Sequence, residues 1–442
     1  MKPLYRRFSA LLPNATIRIH SWTWVGISVL LIVLQLLFPQ RTWTTLLIIM
    51  GGVWLLAFLW TLVLGRRLSL EREMRYGWAQ VGDILQERYT IYNDSLLPAI
   101  WLEVRDHSTI PDYHTGCVTS ISGRQILSWR TEGTCTRRGL FTLGPTSLHS
   151  GDPLGLCSVE VRHSNSTVLL VLPPVLPLPS IEIAAGGVAG EGRLKRHSAM
   201  ETTVSVETIR EYVQGDPLHA IHWPTSARRN ALFVRQFDHK PQADWWIFLD
   251  LERRSQAGDG ARSTEEYGII LAASLANQGI RQGRRVGLVT HGADLTWLPP
   301  RHSSEQLMNI LRTLAVVQVG ARPLADLLTD AQRSIRRGAS LIIITSNTEK
   351  DWLAPLFQLN TQGLAPTVLL LDPAAFGSER SIKGIDRALN DRSISHSLIP
   401  PELFDRDEAR PGKQGKWEWK VVGPGKVVAV HRPAQSEWRR LG

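Results

Sequence analysis

The 442-residue sequence predicts an α+β multidomain protein: a two-helix transmembrane hairpin, an antiparallel β-sandwich-like domain, then an α/β domain built on a parallel sheet. Three observations predict it. Two uncharged apolar runs, Trp22–Phe38 and Trp43–Leu64, stand near the N-terminus. Short strands punctuated by turn residues fill the stretch from Leu68 to about Pro174. From about Ala243 onward, apolar strand runs alternate with helical patterns. The expected organisation is 1–20 as a cytoplasmic N-terminal segment, 21–65 as the hairpin and 68–175 as the sandwich. Residues 176–240 then form a linker with a compact signature, 241–400 the α/β domain, and 401–442 a tail.

Each apolar run approaches or exceeds the roughly 20 residues needed to cross a bilayer. Pro39 ends the first helix, about 22–38. The link Pro39-Gln40-Arg41-Thr42 is so short that the second helix, about 43–64, must return antiparallel. Gly51 and Gly52 permit close helix approach. Trp22, Trp24, Trp43 and Trp60 lie where indole rings favour a membrane interface. Lys2, Arg6, Arg7 and Arg18 precede the hairpin, Arg66, Arg67, Arg72 and Arg75 follow it, and the link holds Arg41 alone. The positive-inside rule then places both termini in the cytoplasm. The expected location is a cell membrane crossed twice, with the lipid bilayer as one partner.

Within the sandwich, a turn over Ile91–Ser95 precedes the strand Ile100–Val104, and Ser166–Leu172 is strongly apolar. Period-two patterning with frequent turns is the signal. Ser180–Met200, with its glycines and basic Arg193, Lys195 and Arg196, reads as an exposed connection. The α/β region begins with Trp245–Leu251 and a helix over Ser263–Gln282, then a strand Arg285–Thr290. Helical patterns cover Ser304–Val317 and Pro323–Arg337, and Leu341–Thr345 and Val368–Leu371 are buried strands. Such alternation implies right-handed crossovers and a parallel sheet. Trp417–Val430 reads as a hairpin around Gly423-Pro424-Gly425.

The formal charge of +10 and pI near 9.8 suit a negatively charged partner. Lys and Arg are spread along the chain, and no nucleic-acid motif is visible, so an anionic lipid surface fits better than nucleic acid. Cys117, Cys135 and Cys157 are odd in number and far apart, with no C-x-x-C, which fits reduced thiols.

The densest chemistry lies in Glu211–Asp238, EYVQGDPLHAIHWPTSARRNALFVRQFD. Asp216 before Pro217 is a good helix start. Ile221 turns inward, and Trp223 before Pro224 is pushed from the α region, so the helical turn breaks there. Asn230 tolerates a tight turn, and a strand follows over Ala231–Phe237. Gly215, Asp216, Ile221, Trp223, Ser226 and Arg228 are the candidate interaction residues. Two readings stay open. In one, Asp216, Trp223 and Arg228 form a recognition element whose Arg228 binds a phosphate or carboxylate in a fork. In the other, Asp216 is a cap, Trp223 a core anchor and Arg228 a brace. His219 and His222, three apart, could share a face with Asp216, but no third metal ligand stands nearby.

This order of residues resembles the signature of the bacterial family called domain of unknown function 58. There a Gly-Asp precedes an Ile-x-Trp, then a Ser-Ala-Arg, then a hydrophobic strand. Arg138-Gly139-Leu140-Phe141-Thr142-Leu143-Gly144-Pro145 and Asp152-Pro153-Leu154-Gly155-Leu156 resemble the same family's strand and corner. The resemblance implies a C-terminal part similar to a von Willebrand factor A domain. In that fold an Asp-x-Ser-x-Ser holds a metal. Here the positions read Asp250-Leu251-Glu252-Arg253-Arg254, so only Asp250 is kept as a metal candidate and no cofactor is expected. The resemblance also implies partners among MoxR-type AAA+ ATPases, transglutaminase-like proteins and other A-domain proteins.

No G-x-x-x-x-G-K-[ST], G-x-S-x-G, H-E-x-x-H or dinucleotide turn occurs. The expectation is therefore a non-enzymatic, membrane-anchored adaptor or scaffold facing the cytoplasm, acting with a MoxR-type ATPase in assembly or maturation. The alternative is a hydrolase or phosphoryl-handling enzyme using Asp216, His219, His222 and Arg228.

Overall fold

The computed structural model describes residues 15–20, 22–74, 77–179, 181–184, 207–213, 221–229, 231–237 and 243–404, with four short strands at 7–8, 419–421, 427–429 and 439–440 as backbone. Within these the fold is mixed α/β.

Helix α1 spans Trp22–Leu37 and helix α2 spans Arg41–Arg67. The second helix starts at Arg41 rather than Trp43 and runs three residues past Leu64, so the link shrinks to residues 38–40. The 27 residues of α2 are long and apolar enough to cross a membrane, whereas the 16 of α1 reach only about 24 Å. Both are studded with exposed apolar side chains, among them Ile32, Leu36, Ile48 and Leu56.

The end of α2 is different. Ala57, Thr61 and Leu64 are buried along one face, and Leu64 joins Leu68, Ile17, Tyr89 and Val159 in a single apolar cluster. That i, i+4, i+7 spacing is what a helix needs to lay one stripe on a sheet. The strand Leu68–Met74 follows Arg67 without a loop.

Two antiparallel sheets make the sandwich. One orders Ala15–Ile19, Cys157–His163, Thr146–Gly151, Ala99–Asp106 and Cys117–Ile121; the other orders Leu68–Met74, Ile84–Asn93 and Gln125–Thr134. Residues 15–19, within the segment expected over 1–20, form an inner strand of this sheet between Arg7–Phe8 and Cys157–His163, with Ile17 opposite Val159. The buried centre holds an ionic network: Arg72 donates to both Glu87 oxygens at 2.8 Å and to Asp106 at 2.7 Å, and Tyr113 donates to Glu87. All three cysteines are free thiols in this half.

The C-terminal half is a six-stranded sheet ordered Leu295–Arg301, Val286–His291, Trp245–Leu249, Ser340–Thr345, Ala365–Leu371 and Ser395–Ile399. All pairs are parallel except the edge strand Leu295–Arg301, whose antiparallel pairing the sequence reading missed. Strand residues alternate between two cores. Trp245, Ile247 and Leu249 face one with helices α4 (Thr264–Arg281) and α5 (Ser304–Val316); Trp246 and Phe248 face the other with α6 (Leu324–Ser334), α7 (Leu353–Thr361) and α8 (Lys383–Asp391).

The halves are welded together. The strand Thr167–Leu172 leaves the sandwich region, and Leu172, Val175 and Leu176 enter the α4/α5 core, where Leu176 N–H donates to Ser274 Oγ at 2.9 Å. Ile181 and Ile183 pack on the same core, and Ala184 bonds Thr367 and Ser340. The start of the segment read as an exposed connection is thus attached to the sheet.

Candidate functional site

The signature builds a small unit of its own. Glu207–Glu211 pairs antiparallel with Phe233–Phe237, and Tyr212 N–H donates to Leu232 O at 2.8 Å. Ile221 is buried and bridges Val234. Between the strands stands helix α3, Trp223–Arg229. The Trp-Pro step therefore starts a helix where the sequence reading expected one to break. A proline in the first turn loses no hydrogen bond, because those N–H groups have no intrahelical acceptor anyway.

Two side chains hold the unit from inside. His222 Nδ1 accepts the Thr225 N–H at 3.3 Å and lies 2.7 Å from Thr225 Oγ1, so the imidazole caps α3. Ser226 Oγ donates to His222 O at 3.0 Å and accepts the Phe233 N–H at 2.9 Å. Buried Ser226 thereby ties helix to strand.

The other face is open. Trp223, an interaction residue in one sequence reading and a core anchor in the other, is 65% exposed, and Val213 and Leu232 are exposed in the segments before and after α3. Arg228 and Arg229 are exposed in its last turn, and the Arg229 guanidinium sits 5.5 Å from the Phe233 ring centre. The structure thus divides the sequence-named residues: Ile221 and Ser226 face inward, Trp223 and Arg228 outward. Gly215 and Asp216, like Pro217 and His219, lie outside the described residues, and so does any pairing of Asp216 with Arg228 or with the histidines. With Nδ1 of His222 committed to its cap, only its Nε2 is left for the chemistry of the enzymatic alternative.

A second candidate lies at the sheet's carboxyl edge. In open α/β sheets ligands bind where strand order reverses, here between Trp245–Leu249 and Ser340–Thr345. Asp250 stands at that point, fully used: Thr345 Oγ1 donates to its Oδ2 at 2.6 Å and Glu252 N–H to its Oδ1 at 3.0 Å. Burial raises its pKa. Burial, then Asp250 and Asp351, likewise raise that of Glu252. Ser346 donates to Ser255 O, and Arg380 crosses to the carbonyls of Arg254 and Gln256. These bonds join the chain's own groups across the crevice. Among the described residues no group of three His, Cys, Asp or Glu is placed to hold a metal.

A third lies between the halves, at Arg138, which the sequence shows only as the start of a strand motif. Arg138 reaches from the β-rich half to α4 and α5. Its Nη2 donates to Glu265 at 3.0 Å and Val317 O at 2.9 Å, its Nε donates to Leu314 O at 2.9 Å, and Nη1 pairs with Glu266. Burial lowers its pKa while Glu265 opposes that shift. The open cavity around it, about 610 Å³, is lined by Leu140, Gly258, Asp259, Glu266, Val316 and Gln318. The Arg-Gly pair was visible as part of a strand, but no local pattern says that its guanidinium leaves that strand's own domain.

The family described as protein of unknown function DUF58 matches residues 208–376. An uncharacterized protein of Mycobacterium tuberculosis is 26% identical over 170 residues, 37% of this chain and 54% of that protein. Uncharacterized protein YeaD of Bacillus subtilis is 25% identical over 226 residues, 49% of this chain and 52% of its own length. The chain thus spans about half the length of the curated relatives it matches. Among solved structures, the SpRpn10 VWA domain aligns at 12% identity and TM-score 0.27, over 36% of this chain and 88% of that one. A von Willebrand factor type A protein from Catenulispora acidiphila aligns at 9% identity and TM-score 0.25, over 40% and 42%. The matched segment begins in the signature's first strand and runs through the sheet's switch point, so residues 208–376 are what this chain shares with the family described as protein of unknown function DUF58.

Proposed function

We propose that this protein is a membrane-anchored adaptor that presents its signature unit to a protein partner. The observation that carries the reading is Trp223, 65% exposed at the start of α3, with Arg228 exposed in its last turn, on a helix that Ser226 ties to the strand Phe233–Phe237. Exposed Trp and Arg on one short helix are the residue types enriched at interface hot spots. The apolar helices α1 and α2 supply the anchor, with both flanks of the hairpin on the cytoplasmic side. A MoxR-type AAA+ ATPase, or an A-domain or transglutaminase-like protein working with one, is the partner class that the family resemblance suggests.

The test is purification of the full chain in mild detergent from its own cells, with and without ATP, and identification of what stays bound. The reading expects a stoichiometric protein partner that Trp223→Ala and Arg228→Glu both release. A partner retained equally by both variants, or none at all, overturns it.

A further inference from the structure

One end of the sandwich carries a feature that the adaptor reading leaves unused. Register places the base of both helices and three strand connections at that end. Ile19 pairs with Cys157, Gly151 with Ser158, Leu102 with Ser150, and Leu68 with Asn93, which faces Gln125. Hydrogen bonds join the connections to the helix bases: His20 N–H donates to Leu156 O, Asp94 N–H to Arg67 O, and Arg124 N–H to Ser95 O.

The corner Asp152–Leu156 is the best formed of these. Asp152 is buried, and its carboxylate accepts the Leu154 N–H at 2.8 Å and the Cys157 N–H at 2.6 Å. Gly155 takes a positive φ of 70° with open space around it. The turn drives Leu156 inward onto Ala57, with Trp24, Val53 and Phe58 packed alongside. It drives Leu154 outward, 63% exposed. In the connection 94–98, Leu96 is 74% exposed, and Ile100 and Trp101 are exposed at the start of the next strand. Trp101 is tied to the corner's strand by Ser150, which donates to its carbonyl at 2.7 Å. Arg66, Arg67 and Arg124 are exposed at this same end, with Asp94 as the acidic residue among them. Apolar side chains in a ring of arginines, continuous with apolar helices, match a membrane interface and not open water.

Length points the same way. About 24 Å of α1 is shorter than the roughly 30 Å hydrocarbon core, and α2 gives up its last turns to the sandwich. A hairpin shorter than the hydrocarbon core is accommodated by local thinning and by flanking residues reaching the interface, which sets the helix-bearing end of the sandwich close to the headgroups.

We infer that this end of the sandwich is a membrane-contacting collar: Leu96, Ile100, Trp101 and Leu154 enter the interface of an anionic bilayer, and Arg66, Arg67 and Arg124 bind its headgroups. The inference rests on the membrane anchoring in the proposed function. It also gives the Asp152–Leu156 corner two jobs at once, docking the helices through Leu156 and dipping into lipid through Leu154.

The experiment uses the full chain with Cys117→Ser, reconstituted in nanodiscs of phosphatidylcholine with or without phosphatidylglycerol. A bimane label is placed in turn by Leu154→Cys, Leu96→Cys, Ile32→Cys and Leu398→Cys, and lipids brominated near the headgroup, or deep in the acyl chain for position 32, quench it. All four positions are exposed, so the fold is not at risk. The collar requires quenching by about half or more at 154 and 96, as for groups at the headgroup–acyl boundary. It also requires quenching at 32 and none at 398, and an effect at 154 and 96 that weakens without phosphatidylglycerol or with Arg66→Gln and Arg124→Gln. Quenching at 32 alone overturns the collar and leaves the anchor standing. No quenching at 32 overturns the anchor, and the collar with it.

Discussion

Arg138 and Glu265, 127 positions apart, form a hydrogen-bonded ion pair at 3.0 Å, with the arginine side chain 7% exposed. The same guanidinium takes the carbonyls of Leu314 and Val317 at the end of α5. One side chain thus satisfies a helix's free carbonyls and faces the acidic first turn of another. Arg138→Ala should destabilise the protein by about 3 kcal/mol, since the carboxylate and both carbonyls lose their buried donor. Urea unfolding should change from one transition to two, and proteolysis should cut between the halves. Arg138→Lys should recover only part, because an ammonium has three donors at one point and cannot span the four acceptors that the planar guanidinium reaches. An unchanged midpoint in the alanine variant would remove the weld from this account.

Separate outcomes are expected for the two faces of the signature unit. Trp223→Ala and Arg228→Glu alter exposed side chains and should shift stability by no more than about 0.5 kcal/mol. Their loss in partner affinity should be about 2 kcal/mol, roughly thirtyfold. Ser226→Ala strands the Phe233 N–H and should cost the unit about 1–2 kcal/mol, seen as faster amide exchange at Phe233. Equal effects of all three on exchange would mean that the face has no role of its own.

Asp250 carries a pH signature. Its folded pKa is raised above the ordinary 3.8, so its stability contribution is full below that value and is lost as pH rises through the folded one. Glu252 acts in the same direction from its ordinary 4.5. Asp250→Asn does not titrate. Measured by chemical unfolding, wild type should therefore lose stability relative to this variant as pH climbs above about 4. A difference that is flat with pH would mean that the carboxylate is no more costly folded than unfolded.

His163 works in the opposite sense. Burial depresses its pKa, and its Nε2 accepts the Leu70 N–H at 3.1 Å. The contribution is present above the ordinary 6.5 and is lost as pH falls from there toward the folded value. His163→Gln should accept the same N–H without titrating, so its stability should decline less than wild type below about pH 6.5. Parallel declines would place the acid sensitivity elsewhere.

What could be read from sequence followed the range of the interactions. The helices near Trp22 and Arg41 and the strand–helix alternation after Ala243 rest on local periodicity, and they stand close to where the residues put them. The strand Ala15–Ile19 was invisible because its partner, Cys157–Val161, lies about 140 positions away and five residues give too short an alternation. The edge strand Leu295–Arg301 was hidden by Pro299 and Pro300, which an edge tolerates and an inner strand does not. In the signature, Trp223 could be read as a recognition residue or a core anchor, and of the pair Ile221 and Trp223 only Ile221 is buried. Sequence gave the cluster but not which side chains its hydrogen bonds would turn outward.

The hydrogen bonds between Ala15–Ile19 and Cys157–Val161 also impose a rule of parity. The chain leaves this folded body at Ile19 and rejoins it at Leu68, with α1 and α2 between. Any bilayer that the helices enter must therefore be crossed an even number of times, whatever charges flank them. Losing one helix would not invert the protein. It would force a choice between the crossing and the strand, and the sheet would have to open before the topology could change.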